Sequence, residues 1–127
     1  MTALLWGAVL VLGGLGAVCR YLVDRAISRR FATGFPLGTL AVNVSGAWLL
    51  GFLGALTLGP QVALLAGTAF VGSYTTFSTW MLETHRLAEE RRRRPAVANI
   101  VASVALGLLA AWLGQLMGGA AVIGRAP

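Results

Sequence analysis

Charged residues divide this chain into three long blank stretches. Residues 1–19, 31–82 and 95–124 contain no Asp, Glu, Lys or Arg, and the charges between them cluster at 20–30 and 83–94. A membrane-spanning helix needs about 20 mostly apolar residues, rising about 1.5 Å each, to cross a hydrocarbon core of roughly 30 Å. Residues 3–22 supply one span, with Arg20 near enough to its end to snorkel. As one helix the 52-residue stretch 31–82 would be roughly 78 Å long, so it must fold back. Gly59-Pro60 marks the hairpin, because proline fits the first turn of a new helix. The pattern predicts spans at 3–22, 37–58, 60–82 and 96–118, the last opening just after Pro95. Four such helices use about 85 residues, so residues 1–127 read as a single four-helix membrane domain with no room for a soluble one.

Composition agrees with this all-α membrane class. Apolar residues make up 57% and charged residues 11% of the chain, against roughly 25% charged in an ordinary soluble domain. Mean hydropathy is +0.80. Ten basic and four acidic side chains cannot cover a water-soluble fold of this size, which excludes a soluble enzyme. The apolar content excludes a disordered chain. No cleavable signal peptide is evident, since the first basic residue is Arg20. Cys19, the only cysteine, has no partner for an internal disulfide.

The net charge of +6 and the run Arg91 to Arg94 invite a nucleic-acid reading. Arginine in short loops beside spans has a simpler role, which is to hold those loops in the cytoplasm. No nucleic-acid partner is expected. Arg25, Arg29, Arg30, Arg86 and Arg91 to Arg94 place eight cations on the two loops that share one side, against Arg125 on the other. The positive-inside rule therefore predicts both termini outside.

Small residues four apart recur in every span but the first: Ala47/Gly51, Ala63/Gly67, Thr68/Gly72, Ser103/Gly107 and Gly114/Gly118. They predict close helix packing in a compact bundle, and an oligomer, since four short helices enclose little by themselves. The third span carries something else. From Gly72 the chain reads Gly-Ser-Tyr-Thr-Thr-Phe-Ser-Thr-Trp, with six hydroxyls in the eight positions 73–80, at mid-bilayer depth. Back-bonding excuses one or two hydroxyls in a helix. Irregular backbone at such depth is tolerated only where it is buried in protein or lines a water-filled path. The run therefore predicts a broken third helix whose freed carbonyls and amides can face ions.

Thr39, Asn43 and Gly46 fall at i, i+4 and i+7 on one face of the second span. Asn99 and Ser103 are similarly paired on the fourth, with Gln115 farther along. Each could be interhelical glue; with the third span they could form a track of donors. No carboxylate lies inside any span, and Glu83 sits just past the third. A small four-helix multidrug antiporter would need an intramembrane acid for proton exchange, so it is disfavoured. Amides, hydroxyls, aromatic ring edges and Arg20 suit a small anion. His85, among Glu83, Arg86 and Glu89, reads as a solvated helix end; Gly14 and Gly16 lack the third glycine and preceding strand of a dinucleotide loop. No enzyme site emerges.

These residues resemble the Fluc (CrcB) family of fluoride channels over almost the whole chain. The likeness runs through Gly13-Gly14-Leu15-Gly16-Ala17-Val18-Cys19-Arg20-Tyr21, then Gly38-Thr39-Leu40-Ala41-Val42-Asn43-Val44-Ser45-Gly46, and finally Gly72 to Glu83. The resemblance implies an antiparallel dual-topology dimer of four-helix subunits with two fluoride pores at the interface. It also implies one structural sodium ion at the centre, held by the backbone carbonyls of Gly72 and Thr75. By motif position Phe77 and Trp80 would form an aromatic box facing fluoride. Asn43 would donate to the ion or orient the box, and Thr39 would lie toward a vestibule. Ser78 and Thr79 would line the polar side, joined by Ser103; for Glu83 the resemblance implies no role.

Trp80 stands where the family usually has phenylalanine, and the fourth span is poorer in hydroxyls than the family's polar track. The loop charge is also lopsided for a homodimer whose subunits insert both ways. The expectation is a channel in a prokaryotic plasma or inner membrane that passively exports fluoride and limits its toxicity. The alternative is a subunit, inactive alone, of a heterodimer with an oppositely oriented paralogue.

Overall fold

A computed structural model describes residues 2–125, which are almost entirely helical. The elements are α1 (Ala3–Arg30), α2 (Leu37–Ala55), α3 (Pro60–Ala63), a π-helical segment π1 (Leu64–Val71), α4 (Gly72–Tyr74), α5 (Phe77–Glu89) and α6 (Arg93–Ile123). Three of them, α1, α2 and α6, are each long and apolar enough to cross a membrane. The stretch 60–82 is not a fourth such helix, because it is interrupted. Its π-helical first part gives way to α4, and the backbone then runs extended through Thr75 (ψ 160°) and Thr76 (ψ 122°) before α5 begins.

The turns follow from local chemistry. Gly59 caps α3 in an extended conformation with Pro60 at the first helical position, where a missing N–H costs nothing. Gly34 adopts a left-handed φ of 78° between α1 and α2, and its carbonyl accepts from Arg92 Nη1 at 3.2 Å. The last helix begins at Arg93, two residues before Pro95, so the proline lies in its first turn.

The most extensive contact is between α2 and α6. It depends on glycine: a Cβ at Gly51 would run into the Ala111 carbonyl, and one at Gly114 into the Trp48 carbonyl. Gly118 sits in the same seam against Phe52 and Ala55. The first helix also packs through glycine, contrary to the expectation that it lacks a small-residue face. Gly13 faces Ser73 Oγ and Gly16 faces the Phe70 carbonyl. These two are three apart, the other spacing that puts residues on one helix face, and Gly13 also lies four residues before Ala17, a pair the sequence reading passed over.

Ala63/Gly67, Thr68/Gly72 and Ser103/Gly107 behave differently. A Cβ added at Gly107 would meet nothing within 4 Å, and one at Gly67 only the tip of Leu50 at 3.9 Å. All six residues instead border an open groove on the side of the molecule. Among the described residues the buried apolar core is small, made of Val42, Ala69, Val71, Leu87, Ala96 and Ala110, while Leu4, Leu10 and Ile123 are largely exposed. Such exposure is what a lipid-facing surface requires.

Candidate functional site

The polar face of α2 and the interruption after α4 form one structure. Thr76 N–H, which in an unbroken helix would bond the Gly72 carbonyl, donates instead to Asn43 Oδ1 at 2.8 Å. Asn43 Nδ2 returns a bond to the Thr76 carbonyl, also at 2.8 Å. One amide side chain thus grips both polar groups of a single peptide residue, as a neighbouring strand would. Thr76 is buried, and its hydroxyl caps α5 by accepting from Thr79 N–H at 3.3 Å. That cap in turn leaves the Thr75 carbonyl without the helical N–H of Thr79, and Arg20 Nη1 donates to it at 3.3 Å.

The three residues spaced along α2 meet the interrupted segment in order. Gly46 lies so close to Thr75 that a Cβ would strike its methyl group. Asn43 holds Thr76, and the buried Thr39 hydroxyl donates to the Glu83 carboxylate. Glu83, for which the sequence suggested no role, therefore has a defined partner.

Two cavities flank the break, and Thr76 borders both. The larger is the open groove of about 800 Å³, lined by Asn43, Thr75, Phe77, Trp80 and Ser103 among others. Gly72 borders it too. The smaller, of about 230 Å³, is lined by Arg20, Asp24, Thr39 and Thr79. Ser78 is exposed and borders neither; its Oγ lies 3.4 Å from that of Thr76. The structure thus brings Asn43, Phe77, Trp80, Ser103, Gly72 and Thr75 to one groove, sets Thr39 and Thr79 on the other side of the break, and leaves Ser78 outside.

Phe77 and Trp80 meet edge to face, with ring centroids 5.7 Å apart and planes at 82°. Phe77 is 70% exposed. The indole N–H of Trp80 does not face the groove as a donor, because it bonds the backbone carbonyl of Asn99 at 3.2 Å. Asn99 Nδ2 donates to Thr84 Oγ1 at 2.9 Å, and Thr84 donates back to the Trp80 carbonyl at 2.9 Å. This circuit ties α5 to α6 and was not anticipated from sequence. Its one local signal was Thr84 lying four residues after Trp80, on the same helix face. The Arg20 contact with Thr75 was likewise missed, although Arg20 is the lone cation within the first predicted span.

Chemically, the groove offers hydroxyls, an amide and ring edges, with no carboxylate among its lining residues. Among the described residues no three His, Cys, Asp or Glu side chains cluster to hold a metal. His85 pairs with Glu89, at 3.2 Å, on an exposed helix surface.

Residues 7–115 match the family model described as CrcB-like protein, Camphor Resistance (CrcB). Among curated relatives, "Fluoride-specific ion channel FluC 2" of Mycolicibacterium paratuberculosis is 63% identical over 114 residues, covering 90% of this chain and 93% of the relative. The protein of the same name from Mycobacterium bovis is 61% identical over 115 residues, 91% of each chain. "Fluoride-specific ion channel FluC 1" of Leifsonia xyli subsp. xyli is 45% identical over 131 aligned positions, covering 100% of this chain and 96% of the relative. With the family model matched over most of its length and relatives this similar end to end, the chain is a multi-pass membrane protein that belongs to the CrcB family.

Proposed function

We propose that this chain is a fluoride-selective ion channel, which lets fluoride leave the cytoplasm passively and so protects the cell against fluoride toxicity. The observation that carries the reading is the break at Thr75–Thr76, held open by Asn43 beside a groove furnished with donors. The names of the relatives, fluoride-specific ion channels at 61–63% identity, support the choice of ion. Fluoride is a small anion that leaves water only where fixed partners replace its hydration. The second N–H of Asn43, the hydroxyl-bearing wall at Ser103 and the electropositive ring edges of Phe77 and Trp80 are suited to that, whereas the Thr76 hydroxyl already donates to Thr79 Oγ1. Thr39 and Thr79 border the cavity beside Arg20, where an anion would enter, and Ser78 would join from the exposed side. Conduction makes or breaks no covalent bond, so on this reading the chain acts as a channel and not as an enzyme.

A structural sodium ion fits the break. The Gly72 and Thr75 carbonyls have both lost their helical N–H partners, and hard cations take such oxygens. Arg20 uses one lone pair of the Thr75 oxygen and leaves the second. Bound there, sodium would supply a fixed positive charge that offsets the cost of an anion in a low dielectric. Two carbonyls are too few for a cation, and a second copy would supply the rest, in an antiparallel dual-topology dimer with two pores in the plasma or inner membrane. The open groove, its unpartnered small residues and the exposed Phe77 support that assembly.

The arginine bias favours a second reading. Eight loop arginines against one point to a single insertion direction, and relatives numbered FluC 1 and FluC 2 are consistent with paired paralogues. This chain would then be one subunit of a heterodimer, inactive alone. Efflux from liposomes containing only this chain, followed with a fluoride electrode beside a chloride control, separates the cases. Fast fluoride efflux without chloride, abolished by Asn43→Asp, supports the self-sufficient channel. Efflux only after adding a paralogue of opposite loop charge supports the second reading, and none in either preparation overturns both.

A further inference from the structure

Thr84 has a single hydroxyl proton, which goes to the Trp80 carbonyl at 2.9 Å. Its oxygen can only accept from the neighbouring amide, so Asn99 turns its NH2 toward Thr84. The reverse orientation would make one hydrogen bond fewer. Asn99 Oδ1 is thereby aimed away from Thr84 and has no protein partner among the described residues, in a side chain only 1% exposed.

Ser103 lies one turn farther along α6 on the same face, and its Oγ is likewise enclosed and unpartnered. A helical serine ordinarily donates back to the carbonyl four residues earlier, here that of Asn99. Trp80 Nε1 already donates to that oxygen from the side, at 3.2 Å, and the helix's own N–H takes the other lone pair. The Ser103 hydroxyl is therefore kept off the backbone and lies enclosed just behind the wall of the groove that the residue lines with Trp80.

We propose that Asn99 Oδ1 and Ser103 Oγ together hold one resident water molecule at the wall of the groove. Side chains one turn apart carry Cβ atoms about 5–6 Å apart, a gap that one water bridges with two ordinary hydrogen bonds. The donor balance selects water: the amide oxygen needs a donor, and the hydroxyl brings a proton of its own. An anion would be repelled by Oδ1, and a cation would find only two neutral oxygens. The bridging water donates one proton to Asn99 Oδ1 and accepts one from Ser103. Its second proton is left for the groove. An amide oxygen of the wrong sign for an anion is thus converted into an O–H donor of the right sign, part of the hydration an ion would otherwise lose. The inference rests on the groove being an anion pathway.

Two measurements test it. A structure of the wild-type protein in lipid, at a resolution that shows ordered water, should reveal a peak within hydrogen-bond reach of both atoms; an ordered seam without that peak overturns the site. In liposomes, Asn99→Leu and Ser103→Ala should each slow fluoride efflux roughly five- to tenfold. Because both act through the same water, Asn99→Leu on the Ser103→Ala background should add no more than about a twofold loss. Wild-type efflux in Asn99→Leu, or losses that multiply, overturn the water's part in conduction. If Asn99→Leu does not fold, the wild-type structure still decides. A wild-type protein that passes no fluoride overturns the channel reading, and the water peak is then judged by itself.

Discussion

Replacing Asn43 with alanine removes the side chain that holds both backbone groups of Thr76 out of the helix. The amide makes two bonds of 2.8 Å to Thr76, a residue 9% exposed, and the two are not equivalent. The Thr76 carbonyl also accepts the first helical bond of α5, so losing Nδ2 costs it about 0.5–1.5 kcal/mol. The N–H has no other partner and, left buried, costs about 1–3 kcal/mol. Together the substitution should destabilise the fold by about 1.5–4.5 kcal/mol. One relaxation is open to the chain. No proline lies between Gly72 and Trp80, so Thr76 N–H can return to the Gly72 carbonyl and the helix can rewind, recovering part of the loss while hiding the carbonyls. Fluoride efflux should then vanish even at temperatures where the variant is folded. The assay is thermal unfolding followed by tryptophan fluorescence, paired with efflux from liposomes holding the same folded protein. Wild-type stability together with wild-type efflux in Asn43→Ala would refute the reasoning.

Phe77→Ala should abolish fluoride efflux while changing stability by no more than about 0.5 kcal/mol, because Phe77 is 70% exposed within the chain; unfolding curves and efflux on one preparation check it, and a large loss of stability with intact efflux would contradict it. Gly114→Val should destabilise the α2–α6 seam by about 1–3 kcal/mol or more, since its Cβ would collide with the Trp48 carbonyl. Gly107→Leu, at a groove position where a Cβ meets nothing, should leave the fold intact and weaken self-association, measured by single-molecule photobleaching in lipid. Cysteines placed at Thr2 or Arg125 in a Cys19→Ser background should react with an impermeant label almost wholly from outside intact cells; equal labelling from both faces would sink the single-orientation reading.

Much of the architecture was legible because membrane solvation writes it plainly. The charge-free stretches foretold the helices, and Gly59-Pro60 foretold where the second half of the long stretch would start. The hydroxyl run foretold irregular backbone, and the i, i+4, i+7 spacing of Thr39, Asn43 and Gly46 foretold a shared face. What sequence could not supply was the position of the interruption. Thr75 and Thr76 depart from the helix because an amide on another helix, 33 residues away, competes for the Thr76 N–H. The π-helical turns of Leu64–Val71 carry no composition signal of their own. Trp80 shows the same limit: nothing in the sequence says that its indole N–H is taken by the Asn99 carbonyl on α6. Local patterns specify elements, whereas the hydrogen-bond partners that set function come from packing.

Current across a planar bilayer containing this chain, with unequal fluoride concentrations on the two sides and an opposing chloride gradient, tests the central claim most directly. A passive, fluoride-selective pathway at the Asn43-held break predicts a steady current that reverses at fluoride's equilibrium potential and ignores the chloride gradient. A current that follows chloride, or none at all from folded protein, would contradict it.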